Sequence, residues 1–101
     1  MTNLRYVISR EYKEIYELWN MMIGAAFLGD VQRFGSSSLV ADLLTSSLSK
    51  NNRVKMDSEY IVHNLGVSLQ PGLSPKVRDR ALREGHRVAS RYHLIESPIH
   101  I

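Results

Sequence analysis

The sequence predicts an all-α chain of about four helices, and three observations carry that expectation. Apolar residues recur at helical spacing from Arg10 to about Leu28, with Tyr12, Ile15, Trp19, Met22, Ala26 and Phe27 on one stripe. Turn and break residues cut the remainder into segments of helix length: Gly35-Ser36-Ser37-Ser38, Asn51-Asn52, Gln70-Pro71-Gly72 and Ser97-Pro98. Strand-like alternation is confined to Arg53-Val54-Lys55-Met56, enough for a short extended connection or a single small strand.

In the first helix Ser9 is the expected N-cap, and Glu11 and Glu14 sit in the first turn, where the helix dipole favours negative charge. Beyond Glu17 the helix becomes apolar on more than one side, because Leu18, Met21, Ile23 and Ala25 fall off the stripe. A helix apolar nearly all round needs partners on two sides. In a short chain the second partner is expected to be another copy of the same helix. This nominates Ile15, Leu18, Trp19, Met22, Ile23 and Phe27 for a homodimer interface.

The Gly35–Ser38 segment reads as loop followed by cap, leading to a second helix, LVADLLTSSLSK, with Leu39, Val40, Leu43, Leu44 and Leu48 on one face. Its serines and threonine lower the intrinsic propensity, so packing is expected to hold it. Asp57-Ser58 is the expected cap of a third helix, Glu59 to Leu65, with Tyr60, Ile61 and Leu65 as its apolar contacts and Gly66 as its C-terminal stop. Ser74-Pro75 opens the fourth with a capping serine and a proline at the first helical position, where a missing N–H costs nothing. That helix is expected to run from Pro75 to about Leu94, leaving a loose tail at Ile99-His100-Ile101. The whole is expected to be one domain: an N-terminal helix in residues 1–34, a core in 35–95 and a tail in 96–101.

The chain has 101 residues, 44% of them apolar, and no cysteine. The first two figures suit a single small core. The third excludes a disulfide framework, a thiolate zinc site and a cysteine nucleophile. The opening MTNLRYVISR is not expected to be a signal peptide, and the longest charge-free apolar run, Leu18 to Gly29, is well short of the roughly 20 residues of a spanning helix. A cytoplasmic protein is expected. The net charge is +3, and its placement is uneven: the first two thirds balance their charges, while residues 69–101 carry six basic groups against three acidic. A partner bearing phosphates or carboxylates is drawn to that end, more weakly as salt rises.

The fourth helix separates its residues by face. Lys76, Arg80, Arg83, Arg87 and Arg91 are spaced by four, three, four and four, and so line one side. Val77, Ala81, Val88, Tyr92 and Ile95 line another, with Gly85 permitting close approach. Guanidinium groups suit phosphate oxygens because their fork of donors matches them two at a time. The plain alternative is a solvated face, in which Asp79 pairs with Arg83, and Glu84 with Arg80 and Arg87. A membrane-surface helix is disfavoured, since its apolar side offers alanine, glycine and valine in place of Trp or Phe anchors.

From Leu43 onward, LLTSSLSKNNRVKMDSEYIVHNLGVS followed by PKVRDRALREGHRVASRYHLI resembles the DNA-binding core of helix-turn-helix and winged-helix transcriptional regulators. On that resemblance Val62 is the small apolar residue of the first motif helix, Gly66 the turn glycine, Val67 the apolar residue after it and Ser68 the polar start of the recognition helix. Two departures stand out. Pro71 and Gly72 fall inside what would be the first turns of the recognition helix, which therefore starts at Ser74, and no hairpin wing follows Ile95. The resemblance implies a transcriptional regulator that reads duplex DNA. Ser74, Lys76, Arg78, Asp79 and Arg80 would be nearest the bases, and Arg83, Arg87 and Arg91 on the backbone.

Other chemistry is less well supported. His63, His86, His93 and His100 hold no pair at the four-residue spacing of a helical metal site. Ser47-Leu48-Ser49-Lys50 fits a Ser-X-X-Lys pattern without its companion motifs. There is no Gly-rich phosphate loop. Neither an enzyme nor a bound cofactor is expected. The rivals to a DNA reader are a helical adaptor or inhibitor that meets an acidic protein partner, and a non-specific RNA or nucleoprotein binder.

Overall fold

The structure, a computed structural model, describes residues 6–8 and 12–94, and the side chains of 12–92. Over the described residues the fold is all-α, with four helices: α1 (Lys13–Leu28), α2 (Val31–Thr45), α3 (Arg53–Ser68) and α4 (Pro75–Ala89). Two three-residue strands, β1 (Tyr6–Ile8) and β2 (Tyr92–Leu94), pair in parallel with Tyr6 opposite Tyr92 and Ile8 opposite Leu94. All four helices lie between these strands in sequence. The small strand element therefore joins the segments that flank the helices and does not occupy Arg53–Met56.

The first turn of α1 begins at Lys13 behind Tyr12, which makes no side-chain capping bond; the expected cap, Ser9, lies outside the described residues. The helix ends at Gly29, whose φ of 75° is in the left-handed region that glycine adopts at least cost. The Gly29 and Asp30 N–H groups return to the last carbonyls of α1, Ala25 and Ala26. Asp30 then caps α2, its carboxylate accepting from the Arg33 N–H at 3.0 Å. A two-residue link thus starts α2 four residues before Gly35.

That early cap corrects the expected loop at Gly35–Ser38, which is helical. Its serines satisfy themselves within the helix: Ser36 donates to the Gln32 carbonyl at 3.2 Å and Ser38 to the Gly35 carbonyl at 3.1 Å. Ser37 is buried. At the other end α2 stops at Thr45, short of the expected Lys50, where Ser46 and Ser47 turn their hydroxyls onto the Leu43 and Leu44 carbonyls.

A second correction concerns α3. Asn52 is its N-cap, with Oδ1 accepting from the Val54 N–H at 2.8 Å, so Arg53–Met56 forms the first turn of the helix and is not extended. Asp57 and Ser58 lie inside the helix and serve the core. Gly66 does not stop it either; α3 runs on to Ser68. The Ser74 cap and Pro75 start of α4 are as expected, with Ser74 Oγ accepting from the Val77 N–H at 3.3 Å. The helix ends at Ala89 and gives way to β2, earlier than the expected Leu94. The expected tail at 99–101 lies outside the described residues.

The core draws on all four helices. Trp19 and Met22 of α1 and Ile61 and Leu65 of α3 are completely buried, with Phe34 and Ala41 of α2 and Leu82, Val88 and Ala89 of α4 around them. The Trp19 indole N–H donates to Ser58 Oγ at 2.9 Å, so the one polar atom of the largest core side chain is satisfied. Tyr92 stacks edge-on to Trp19 with ring centroids 5.0 Å apart, and its hydroxyl donates to the Asp57 carboxylate. No described helix is long and apolar enough to cross a membrane.

Candidate nucleic-acid interface

The seating of α4 decides which of its residues meet solvent. Its buried side is Ala81, Leu82, Gly85, Val88 and Ala89. At Gly85 the helix comes so close to α3 that an added Cβ would lie 2.8 Å from Leu65 Cδ2. This is the close approach expected of Gly85. The expected apolar stripe is corrected in detail: Val77 is 46% exposed, Leu82 and Ala89 take inner positions, and Tyr92 reaches the core from β2. Ile95 lies outside the described residues.

With that side fixed inward, Lys76, Arg80, Arg83 and Arg87 all stand exposed. A shallow groove of about 480 Å³ runs along the first turns of the helix, lined by Lys76, Asp79, Arg80, Arg83 and Glu84. Arg83 pairs with Asp79 at 2.9 Å, and Arg87 grips Glu84 with two bonds of 2.9 and 2.8 Å. Among the described residues neither Lys76 nor Arg80 has a carboxylate within ion-pair distance. Arg91 follows the helix, is half-buried, and contributes to the field that keeps Glu84 ionised.

Glu84 is the best-held acid on this face. The Arg87 guanidinium and then the Tyr60 hydroxyl, which donates at 2.6 Å, hold its carboxyl down at about 2. The same bond to Glu84 raises the Tyr60 phenol above its ordinary value. Exposed pairs of this kind contribute little to stability, so a competing phosphate displaces them at little cost. The Asp79–Arg83 and Glu84–Arg87 pairs are those that helical spacing leads one to expect. Tyr60, expected among the core contacts, is instead 42% exposed; its partner lies on another helix and leaves no local signal in the sequence.

Two expected contact residues are engaged within the fold. Arg78 turns toward the end of α1, with Nη2 3.7 Å from the place a Cβ on Gly29 would occupy. It lines a pocket of about 250 Å³ with Gly29 and the 68–73 segment, where the carbonyl ends of α1 and α3 attract a cation. Ser74 has its oxygen committed to the cap of α4. The α3–α4 link is also corrected. Ser68 does not open a recognition helix but is the buried last residue of α3, donating to the Leu65 carbonyl at 2.6 Å. Gly66 lies beside the Phe34 ring, which a Cβ added there would meet at 3.7 Å, and the left-handed glycine of the turn is Gly72.

The expected α1 interface is revised in the same way. Ile15, Trp19 and Met22 are buried in their own chain's core and have no surface to offer a second copy; Leu18 and Ile23 are partly buried, and Phe27 is open. Among the described residues no group of three or more histidines and carboxylates comes together as a metal site. Comparison of the chain with family models, with curated proteins and with solved structures gives no match.

Proposed function

We propose that the chain is a small DNA-binding protein, a transcriptional regulator that contacts duplex DNA through the exposed side of α4. One observation carries this reading: the apolar side of α4 is locked against α3 and α1, so its cations project outward as a row starting with Lys76 and Arg80. Lys76, Arg80 and Arg83 around the first-turn groove are the residues for groove entry, and Arg87 and Arg91 the residues for the flanking backbone. Asp79 and Glu84 act as internal counter-ions that phosphate replaces. In this role the chain works as a homodimer that presents two α4 helices to two half-sites.

Charge reversal tests it. Arg80→Glu with Arg83→Glu alters two exposed side chains that support nothing in the core, so helicity by circular dichroism is expected to stay at the wild-type level. Anisotropy of a labelled duplex is expected to show binding by the wild type and at least tenfold weaker binding by the variant, since every phosphate left without its cation keeps its condensed counterions. Unchanged affinity in a folded variant overturns the assignment of α4.

A further inference from the structure

Several of the exposed apolar side chains lie together on α1 and α2, away from α4. Met21, Leu28, Val40 and Leu43 are open, Leu28 by 79% and Leu43 by 66%, with Leu18 and Leu44 partly buried between them. Helical spacing puts Glu14, Glu17, Leu18, Met21 and Leu28 along one side of α1, and Arg33, Val40, Leu43 and Leu44 along one side of α2. The two sides adjoin, because Glu14, Glu17, Leu18, Met21, Val40 and Leu44 line a single shallow groove of about 280 Å³. A continuous apolar face rimmed by charge marks an interaction surface.

The rim identifies the occupant. The tight Gly29–Asp30 link makes α1 and α2 antiparallel neighbours, so the end of the face that holds Glu14 and Glu17 also holds Leu44. Arg33 lies eleven residues back from Leu44, about 16 Å along α2 at 1.5 Å per residue, which places it at the opposite end of the face. The surface therefore carries Glu14 and Glu17 at one end, apolar side chains in the middle and the Arg33 guanidinium, next to the capping Asp30, at the other. A two-fold axis through the middle, perpendicular to the helices, lays each copy's Glu17 beside the other's Arg33 while Met21, Val40 and Leu43 close on their counterparts. Neither Glu14, Glu17 nor Arg33 has an ion-pair partner within its own chain among the described residues.

We propose that this α1–α2 face is the homodimer interface, occupied by a second copy in antiparallel, isologous packing. No residue of α4 lines the groove, so the arginine side of each copy stays open in the dimer. The interface stands independently of the nucleic-acid reading, and its test does not use nucleic acid.

Size-exclusion chromatography with light scattering on the full chain, over a concentration series, provides the test. The wild type is expected to reach twice the 11.5 kDa chain mass. Leu43→Glu, which alters an exposed residue and leaves the core untouched, is expected to remain at the single-chain mass with its helicity intact. Glu17→Lys and Arg33→Glu are each expected to weaken the dimer about tenfold, since two equivalent pairs break at once. Combined, they are expected to restore it, because the reversed charges meet again across the two-fold axis. A wild type that stays monomeric at all concentrations, a dimer untouched by Leu43→Glu, or a double variant weaker than either single one overturns the proposal.

Discussion

Gly85→Ala probes the seating of α4, on which the exposure of every arginine depends. The added methyl would lie 2.8 Å from Leu65 Cδ2 and 2.9 Å from Leu65 Cγ, with the Ile61 carbonyl oxygen at 3.6 Å. Leu65 is completely buried, so it has no empty space to move into. Forcing an extra carbon into such packing costs about 1–3 kcal/mol. The same substitution in a helix interior recovers about 1 kcal/mol of propensity. The net is a loss of roughly 1 kcal/mol, reaching ~2 where the packing relaxes least. In a domain of this size each kcal/mol lowers Tm by about 4–8 °C.

Gly35 supplies the internal control, because it is also helical but has nothing within 4 Å of the place its Cβ would occupy. Gly35→Ala is expected to gain up to about 1 kcal/mol from propensity alone. Urea unfolding at fixed protein concentration, followed by circular dichroism, measures both variants. The expected result is opposite signs for one chemical change at two glycines. A Gly85→Ala variant stabilised to the same extent as Gly35→Ala would refute the close approach of α4 to α3.

Ser58→Ala strips the Trp19 indole N–H of its acceptor inside a sealed core and is expected to destabilise the chain by about 1–3 kcal/mol, read as a lower urea midpoint with an altered Trp19 emission. A neutral effect would mean that another acceptor serves Trp19. Glu84→Gln tests the surface network through pH. The folded carboxyl is held down at about 2, chiefly by Arg87, against an ordinary 4.5, so its stabilising contribution is complete above about 4.5 and is lost as pH falls toward 2. The midpoint difference between wild type and variant is expected to be constant from pH 8 to 5 and to shrink below that; a difference that widens with acid contradicts the assigned pair.

How much of the fold is legible in the sequence follows the range of the interactions involved. Ser74 and Pro75 are legible because a cap is a contact over three residues and a first-turn proline is a property of one. The inward glycine of α4 is legible because Gly85 stands where an apolar side chain would otherwise recur. Gly35–Ser38 misleads because composition there argues for a loop. The deciding group is Asp30, a cap upstream of serines that bond back to their own helix. Asn52 is recognisable as a break, but its role as the cap that makes Arg53–Met56 helical emerges only in the fold.

The contacts of long sequence range leave no local trace. Trp19 finds Ser58, which is 39 residues away, and Tyr60 finds Glu84 at 24. The β1–β2 pairing joins opposite ends of the described chain. The same limit explains the α1 residues. Periodicity identifies a helix apolar on two sides, but only the fold shows that Trp19 and Met22 turn to the chain's own core while Met21 and Leu28 stay open.

If α4 meets duplex DNA through its row of cations, the most direct measurement is duplex affinity as a function of salt concentration for the wild-type chain. Engagement of three to five of the cations at positions 76, 80, 83, 87 and 91 predicts that log affinity falls with log salt at a slope of about −2.7 to −4.5. A slope near zero, or no measurable binding at low salt, would contradict it.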